Sequence, residues 1–353
     1  MSSLERRFTI AGRSVGSDAP CFIIAEAGVN HNGDLARALD LVDVAAAANA
    51  DAVKFQTFDA DRLATHDAPK ALYQLETTGA TQSQREMLRE LQLSIDDHRA
   101  LIARCAQRGI IFLSTPFDEE SADLLASLDV PAFKTPSGEL TNLPYLAHVA
   151  RFGKPVIAST GMATLAEVES AVATLSANGC RELALLHCVS NYPAAPADVN
   201  LRAIETLERT FGTPAGYSDH TDGIAIALAA AARGAAVIEK HFTLDRTLPG
   251  PDHRASLEPA ELDRMVREIR AIESALGDGR KEPAESERDT AAVARKSLVT
   301  VSDIAPGEPL TEANVAAKRP GTGLSPALRE RVIGRSARVP IAAGTLLEWE
   351  MLN

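Results

Sequence analysis

The feature that most restricts how this chain folds is a recurrence. Up to about Gly279, a short apolar run, a few polar residues at its end and an amphipathic helix follow one another eight times. The runs are Cys21–Ala25, Ala52–Phe55, Ile110–Leu113, Pro131–Phe133, Pro155–Ala158, Leu183–Leu186, Pro214–Gly216 and Ala235–Ile238. Apolar runs bounded by turn residues read as parallel strands covered on both faces. The fourth and seventh are weak by themselves and are inferred from the gaps they fill. Eight such units predict a (β/α)8 TIM barrel, class α/β. An open doubly wound sheet would announce a Gly-rich phosphate loop after its first strand. Glu26-Ala27-Gly28-Val29-Asn30-His31-Asn32-Gly33 lacks that spacing.

The intervening helices carry start and stop signals. Thr164-Leu165-Ala166-Glu167 spells a capping box, with Val168, Val172 and Leu175 on one face beyond it. Leu262, Met265, Val266, Ile269, Ile272 and Leu276 make a second stripe at helical spacing, read as core packing. The pattern stops at Gly277-Asp278-Gly279, so residues 1–279 form the barrel domain. Residues 280–296 open with a charged stretch almost free of large apolar side chains and read as a linker. Residues 297–353 read as short strands and turns with a weak repeat. Its halves are Ile304-Ala305-Pro306-Gly307 with Leu310, and Ile341-Ala342-Ala343-Gly344 with Leu347. So small a unit gains from packing on another surface.

Composition removes several function classes. A net charge of −12 leaves no basic excess for nucleic acid. No apolar stretch is long enough to cross a bilayer, and the N-terminus leads into no secretory h-region. Cys21, Cys105, Cys180 and Cys188 lack CxxC spacing, which predicts reduced buried thiols in a cytoplasmic protein.

Barrel enzymes place their chemistry at the carboxyl ends of the strands. Those ends hold Glu26; Lys54 and Gln56; Thr115; Lys134, Ser137 and Glu139; Ser159; Ser190 and Tyr192; Ser218 and His220; Glu239 and His241. A lysine inside a barrel mouth is costly unless it meets an anion. Lys54 and Lys134 therefore bind a phosphate and a carboxylate, pair with Glu26 or Glu139, or form a Schiff base; the residues alone leave all three open. His220 and His241 end successive strands, close enough to share one divalent ion with open positions, or to be ordinary hydrogen-bonded histidines. His187, inside an apolar run, reads as a satisfied core histidine. His31 reads either way.

Several of these stretches resemble one family. Glu26-Ala27-Gly28-Val29-Asn30-His31-Asn32-Gly33, Lys54-Phe55-Gln56-Thr57, Ser114-Thr115-Pro116-Phe117, Gly216-Tyr217-Ser218-Asp219-His220-Thr221 and Glu239-Lys240-His241-Phe242-Thr243 are similar to the phosphoenolpyruvate-dependent sialic acid synthase family. Gly250-Pro251-Asp252-His253 extends the last, and the tail with Lys318-Arg319-Pro320-Gly321 resembles that family's antifreeze-like (SAF) domain. The resemblance implies that phosphoenolpyruvate lies on Lys54, Thr115, Lys134, Ser137, Ser159, Ser190 and Ser218. It implies Mn2+ or Mg2+ on His220 and His241, and Glu26 as the acid/base group. It places the sugar on Gln56, Glu139, Tyr192, Asp252 and Arg319, the last delivered by a partner in a domain-swapped homodimer. The implied activity is N-acetylneuraminate synthesis from phosphoenolpyruvate and N-acetylmannosamine, an N-acyl hexosamine. Val189-Ser190-Asn191-Tyr192 departs toward the legionaminic and pseudaminic branches, so N,N'-diacetyllegionaminate synthesis is the alternative. Asp252-His253-Arg254-Ala255-Ser256 speaks against the pseudaminic one. More remote readings are a synthase of seven- or eight-carbon keto acids and a non-enzymatic sugar-binding protein.

Overall fold

The structure is a computed structural model that describes residues 4–16, 18–79 and 81–353. It divides into two compact units, Met1–Gly277 and Asp278–Asn353. The first opens with a hairpin of β1 (Arg7–Ile10) and β2 (Arg13–Gly16). Eight strands follow: β3 (Phe22–Gly28), β4 (Ala52–Thr57), β5 (Ile111–Pro116), β6 (Phe133–Thr135), β7 (Val156–Ser159), β8 (Leu183–Cys188), β9 (Ala215–Asp219) and β10 (Val237–His241). Their ladders are parallel and run in the order β5-β4-β3-β10-β9-β8-β7-β6. β5 and β6 pack side by side at the one seam without an assigned ladder, so the sheet is a nearly closed barrel.

Strand alternation sorts the side chains into two layers. Ile23, Ala25, Val53, Phe55, Leu183, Leu185 and Ile238 point outward into the core shared with the helices. Phe22, Ile24, Ala52, Leu113, Ala132, Ile157, Ala184, Leu186 and Val237 fill the barrel interior. Phe8, Ile10 and Val15 of the hairpin join that interior cluster and plug the barrel's amino-terminal end. Helices return the chain between strands, and their starts follow the sequence. Asp34, Ser94, Asp118, Asn142 and Thr164 each accept backbone N–H bonds at an N-cap, and the Thr164–Glu167 capping box forms. All four cysteines are free and buried.

Three features differ from the sequence reading. The strands run further at their carboxyl ends than the apolar runs, so Glu26, Lys54, Gln56, Thr115, Lys134, Ser159, Ser218 and His241 stand within strands. Charge ended the apolar runs in the sequence; in the barrel those charges face one another and the ladder continues. The hairpin and an excursion of three short helices (Ala60–Leu63, Leu72–Thr78 and Gln84–Glu90) after β4 lack an apolar period of their own and went unread. The charged segment read as a linker carries a helix, Arg288–Ala294, and lies in the second unit.

In that unit β11 (Ser297–Thr300) and β12 (Val315–Lys318) pair antiparallel. The two halves of the repeat meet: Ile304 and Ile341 exchange backbone hydrogen bonds of 2.8 and 3.0 Å. Leu310 and Leu347 share one small core with Leu298, Val315 and Val332.

Gly216 holds β9 against β10 by close approach. A Cβ there would strike the Val237 carbonyl, backbone that cannot swing aside. Gly216→Ala is expected to cost about 1–3 kcal/mol, measured as a fall in the urea midpoint at unchanged m-value.

Candidate functional site

The top layer of the barrel interior is polar where the lower layers are apolar. Glu26, Lys54, Thr115, Lys134, Ser159, Ser218, Glu239 and His241 all face inward there, and each is buried. They line a cavity of about 380 Å³ together with Gln56, Ser137, Glu139, Ser190, Tyr192, His220 and Asp252. Every site residue named from the barrel sequence is therefore brought to one cavity. His31 is buried elsewhere, its Nδ1 accepting from the Gly33 N–H. His187 is half-buried with Nε2 bonded to the Val199 carbonyl at 2.5 Å. Arg319 lies in the second unit, exposed, donating from Nε to the Ala294 carbonyl at 2.9 Å.

The floor of the cavity is an ion cluster. Lys54 Nζ lies 2.8 Å from Glu26 Oε2 and 3.6 Å from Glu239 Oε2, and donates to Thr115 Oγ1 at 2.7 Å. Lys134 Nζ lies 3.8 Å from Glu239 Oε1 and donates to Ser159 Oγ at 2.6 Å. Ser218 Oγ donates to Glu239 Oε1 at 2.9 Å. Glu239, not Glu139, is thus the shared counter-ion of both lysines; Glu139 is half-buried and accepts from Asn142 at 2.7 Å. A close reading of Glu239-Lys240-His241 would have found this, because a two-residue period puts Glu239 and His241 on one face and Lys240 on the other.

The two carboxyls are driven apart. Burial raises the Glu26 pKa to about 7, with Glu239 adding to the rise and Lys54 opposing it. Burial acts in the same direction on Glu239, but Lys134 and Lys54 outweigh it and hold that carboxylate below its usual range. Glu239 stays charged while Glu26 exchanges a proton near neutrality, the arrangement that suits acid/base work. Burial would lower the Lys54 pKa, yet Glu239 and Glu26 raise it, which disfavours the neutral amine a Schiff base needs. With Glu26 protonated, two ammonium groups face one carboxylate and the cluster is short of negative charge. Gly161 opens room beside them. Its N–H donates to Ser137 Oγ at 3.0 Å, and a Cβ there would collide with the Ser137 and Ser190 hydroxyls.

Above this floor the two imidazoles stand side by side on β10 and at the end of β9, ring centroids 5.4 Å apart. His220 Nδ1 bonds the Val189 carbonyl at 2.8 Å, which turns Nε2 away from it. His241 Nδ1 is buried with no hydrogen-bond partner among the described residues. Burial, reinforced by His220, holds His241 neutral, so its lone pair is free. No group of three or more His, Cys, Asp or Glu side chains is set to hold a metal among the described residues. Tyr192 lies against His220 at 4.0 Å and Tyr73, from the excursion, against Tyr192 at 4.8 Å. Burial raises the Asp252 carboxyl to about 6.

Behind the histidines lies a brace. Asp219 and Lys240 precede them in sequence, sit opposite each other in the β9–β10 register and form an ion pair of 3.0 Å with no accessible surface. Lys240 also donates to the Thr221 carbonyl, and Asp219 Oδ1 accepts from the Thr221 N–H and hydroxyl. The residues flanking His220 are thereby tied to the root of His241.

Comparison with known proteins gives the same assignment. Residues 41–281 match the NeuB family and residues 295–353 the SAF domain. The chain belongs to the NeuB family. This NeuB-family chain is 50% identical over 317 residues to N,N'-diacetyllegionaminic acid synthase of Campylobacter jejuni, covering 89% of this chain and 95% of that protein. It is 40% identical over 305 residues to N-acetylneuraminate-9-phosphate synthase of Homo sapiens, covering 85% and 83%. Among solved structures, the N-acetylneuraminic acid synthetase of Leptospira borgpetersenii superposes with a TM-score of 0.72 at 37% identity, covering 82% of this chain and 96% of that one. The chain is a synthase of this phosphoenolpyruvate-dependent family. No helix among the described residues is long and apolar enough to cross a membrane.

Two outcomes test the electrostatics. Glu26 holds its proton more tightly folded than unfolded, so its contribution to stability is complete below about pH 4.5 and is lost as pH rises through about 7. Glu26→Gln, which mimics the protonated acid, is expected to gain several degrees in melting temperature relative to the native chain between pH 5 and pH 8. Lys240→Met leaves Asp219 charged and unpaired in a dry site, at an expected cost of about 3–5 kcal/mol by denaturant titration. Adding Asp219→Asn is expected to recover most of it.

Proposed function

We propose that the chain condenses phosphoenolpyruvate with the open-chain aldehyde of an N-acyl amino sugar, giving a nine-carbon 2-keto acid and phosphate. The observation that carries this reading is one cavity that joins a two-lysine, hydroxyl-lined anion cradle to two imidazoles on neighbouring strands. Lys54 and Lys134 take the phosphate and carboxylate of phosphoenolpyruvate, with Thr115, Ser137, Ser159, Ser190 and Ser218 supplying hydroxyl bonds. Glu239 favours the charged form of both lysines and fixes them in place: it helps hold Lys54 above its usual range and opposes the burial that draws Lys134 below its own. A divalent ion fits His220 and His241, one of whose nitrogens is an orphan in the buried site, with its other positions left to water and substrate. Mn2+ or Mg2+ bound there supplies Lewis acidity toward the acceptor's aldehyde.

The cradle holds the enol so that carbon 3 attacks the aldehyde carbon, and water adds to the cation left at carbon 2. Glu26, which gains and loses a proton near pH 7, takes one proton of that water and returns it to the phosphate oxygen as the carbon–oxygen bond breaks, and the proton of the new carbon 2 hydroxyl, released as the ketone forms, goes to the alkoxide left from the aldehyde. Gln56, Glu139, Tyr192 and Asp252 hold the sugar's polar groups. In the domain-swapped homodimer that the family resemblance implies, Arg319 of a second copy meets the acyl-amino group. Two acceptors suit this chemistry: N-acetylmannosamine and a 2,4-diacetamido-trideoxy hexose. The second draws support from the 50% and 48% identities to N,N'-diacetyllegionaminic acid synthases, against 40% to the human enzyme.

Purified protein with phosphoenolpyruvate, Mn2+ and a panel of aldoses is expected to release phosphate and form a nine-carbon keto acid, identified by mass. Chelator and His241→Ala are each expected to slow phosphate release at least about 100-fold, the scale of losing one strong electrostatic stabiliser. Turnover of arabinose 5-phosphate or erythrose 4-phosphate, with no N-acyl hexosamine consumed, would reject the reading. Release unchanged by both treatments would remove the metal from it.

A further inference from the structure

Two stretches that carry the family resemblance, Asn30-His31-Asn32-Gly33 and Gly250-Pro251-Asp252-His253, hold polar side chains that do not line the cavity: Asn30, Asn32 and His253. β3 and β10 are neighbours in the barrel, so the loops that follow them lie side by side. The second of these loops carries Pro251 and Asp252 into the cavity wall. The Asp252 carboxyl is buried but makes no hydrogen bond or ion pair among the described residues. The backbone that carries it therefore sets its place.

Two chains of hydrogen bonds tie that backbone to the β3 loop. In one, Asn32 Nδ2 donates to the Pro249 carbonyl at 2.7 Å, and Asn32 Oδ1 accepts from His253 Nε2 at 3.0 Å. The ring then carries its proton on Nε2, which leaves Nδ1 to accept from the Thr243 hydroxyl at 2.7 Å. Burial, with Arg37 adding to it, lowers the His253 pKa to about 4, so the ring is neutral and keeps this tautomer. In the other chain, Asn30 Nδ2 donates to the Phe242 carbonyl at 2.8 Å and to Ser256 Oγ at 2.9 Å. Ser256 Oγ in turn donates to the Asp252 carbonyl at 2.7 Å. Asn30, Thr243, His253 and Ser256 are all buried, where a lost partner is costly. Gly250 leaves the room that the first chain needs. A Cβ on it would stand 2.7 Å from the His253 ring and 2.8 Å from Asn32 Oδ1.

We propose that Asn30, Asn32, His253 and Ser256 are positioning residues for the acceptor sugar: they clasp residues 249–256 to the β3 loop and so hold the Asp252 carboxyl where the sugar's polar groups meet it. The proposal rests on the condensation argued above, in which Asp252 is one of the groups that hold the sugar. A group that binds the sugar equally before and during the reaction acts on its KM and leaves kcat nearly unchanged. The side chains of Lys54, Lys134 and Glu26 share no hydrogen bond with the clasp among the described residues. Use of phosphoenolpyruvate is therefore insulated from it. A clasp that only stabilised the fold would change the amount of active protein and leave both KM values native.

The test measures kcat and both KM values of the full chain with Mn2+ and phosphoenolpyruvate. The acceptor is whichever of N-acetylmannosamine and the 2,4-diacetamido-trideoxy hexose the native chain consumes. Asn32→Ala and Ser256→Ala, which cut the two chains separately, are each expected to raise the acceptor KM about 10–100-fold, the scale of misplacing a group by about an ångström. The KM for phosphoenolpyruvate is expected to stay within about twofold of native. KM does not depend on how much of a preparation is active, so a partly folded variant still reports. In an Asp252→Asn background the same two substitutions are expected to add less than about twofold, because the group they place is already gone. An acceptor KM unmoved by both variants, an equal rise in the phosphoenolpyruvate KM, or full additivity with Asp252→Asn overturns the proposal while leaving the condensation standing. Consumption of neither acceptor by the native chain rejects the condensation, and the proposal with it.

Discussion

Two lysines and two glutamates buried in one barrel mouth set the terms for everything around them. Lys54 and Lys134 share Glu239, while Glu26 touches only Lys54 as an ion partner. Buried charges persist only when paired and hydrogen-bonded. Here Thr115, Ser159 and Ser218 supply the hydrogen bonds. The asymmetry is what makes the cluster useful. A carboxylate between two ammonium groups stays ionised; one beside a single ammonium, with another carboxylate nearby, hovers at its titration point. An anion entering this mouth completes the electrostatic pairing that the protein leaves unfinished.

The same alternation that builds a strand divides labour between its two faces. On β10, Val237, Glu239 and His241 look into the barrel, and Ile238 and Lys240 look toward the helices. Functional groups stand inside and their supports outside. The Asp219–Lys240 pair is as buried as any aliphatic core residue, yet it lies one residue from each imidazole. Rigid strands so braced place groups more closely than loops do.

Much of this was legible in the residues. The eight-fold recurrence gave the barrel because parallel strands need covering on both faces, and apolar runs report that directly. The site residues were legible because polar side chains at the ends of such runs have few structural excuses. What escaped shares a physical cause. Glu239 was named at a strand end, but its part as counter-ion of both lysines, and that of Lys240 as a brace, were hidden because a strand whose last residues are charged looks, in one dimension, like a strand that has ended. The excursion holding Leu63, Met87 and Leu88 was hidden because short helices stabilised by tertiary contact carry little periodicity of their own. The tail's repeat was visible, but the pairing of Ile304 with Ile341 depends on a return of the chain that no local pattern encodes.

The plug formed by Phe8, Ile10 and Val15 closes the barrel's amino-terminal end, and the cavity with the two lysines at its floor lies at the carboxyl ends of the strands. Under the proposed reaction phosphoenolpyruvate on the lysines lies deeper than the acceptor, which meets the imidazoles above it. That difference in depth is backed by three side chains at the far end from the chemistry.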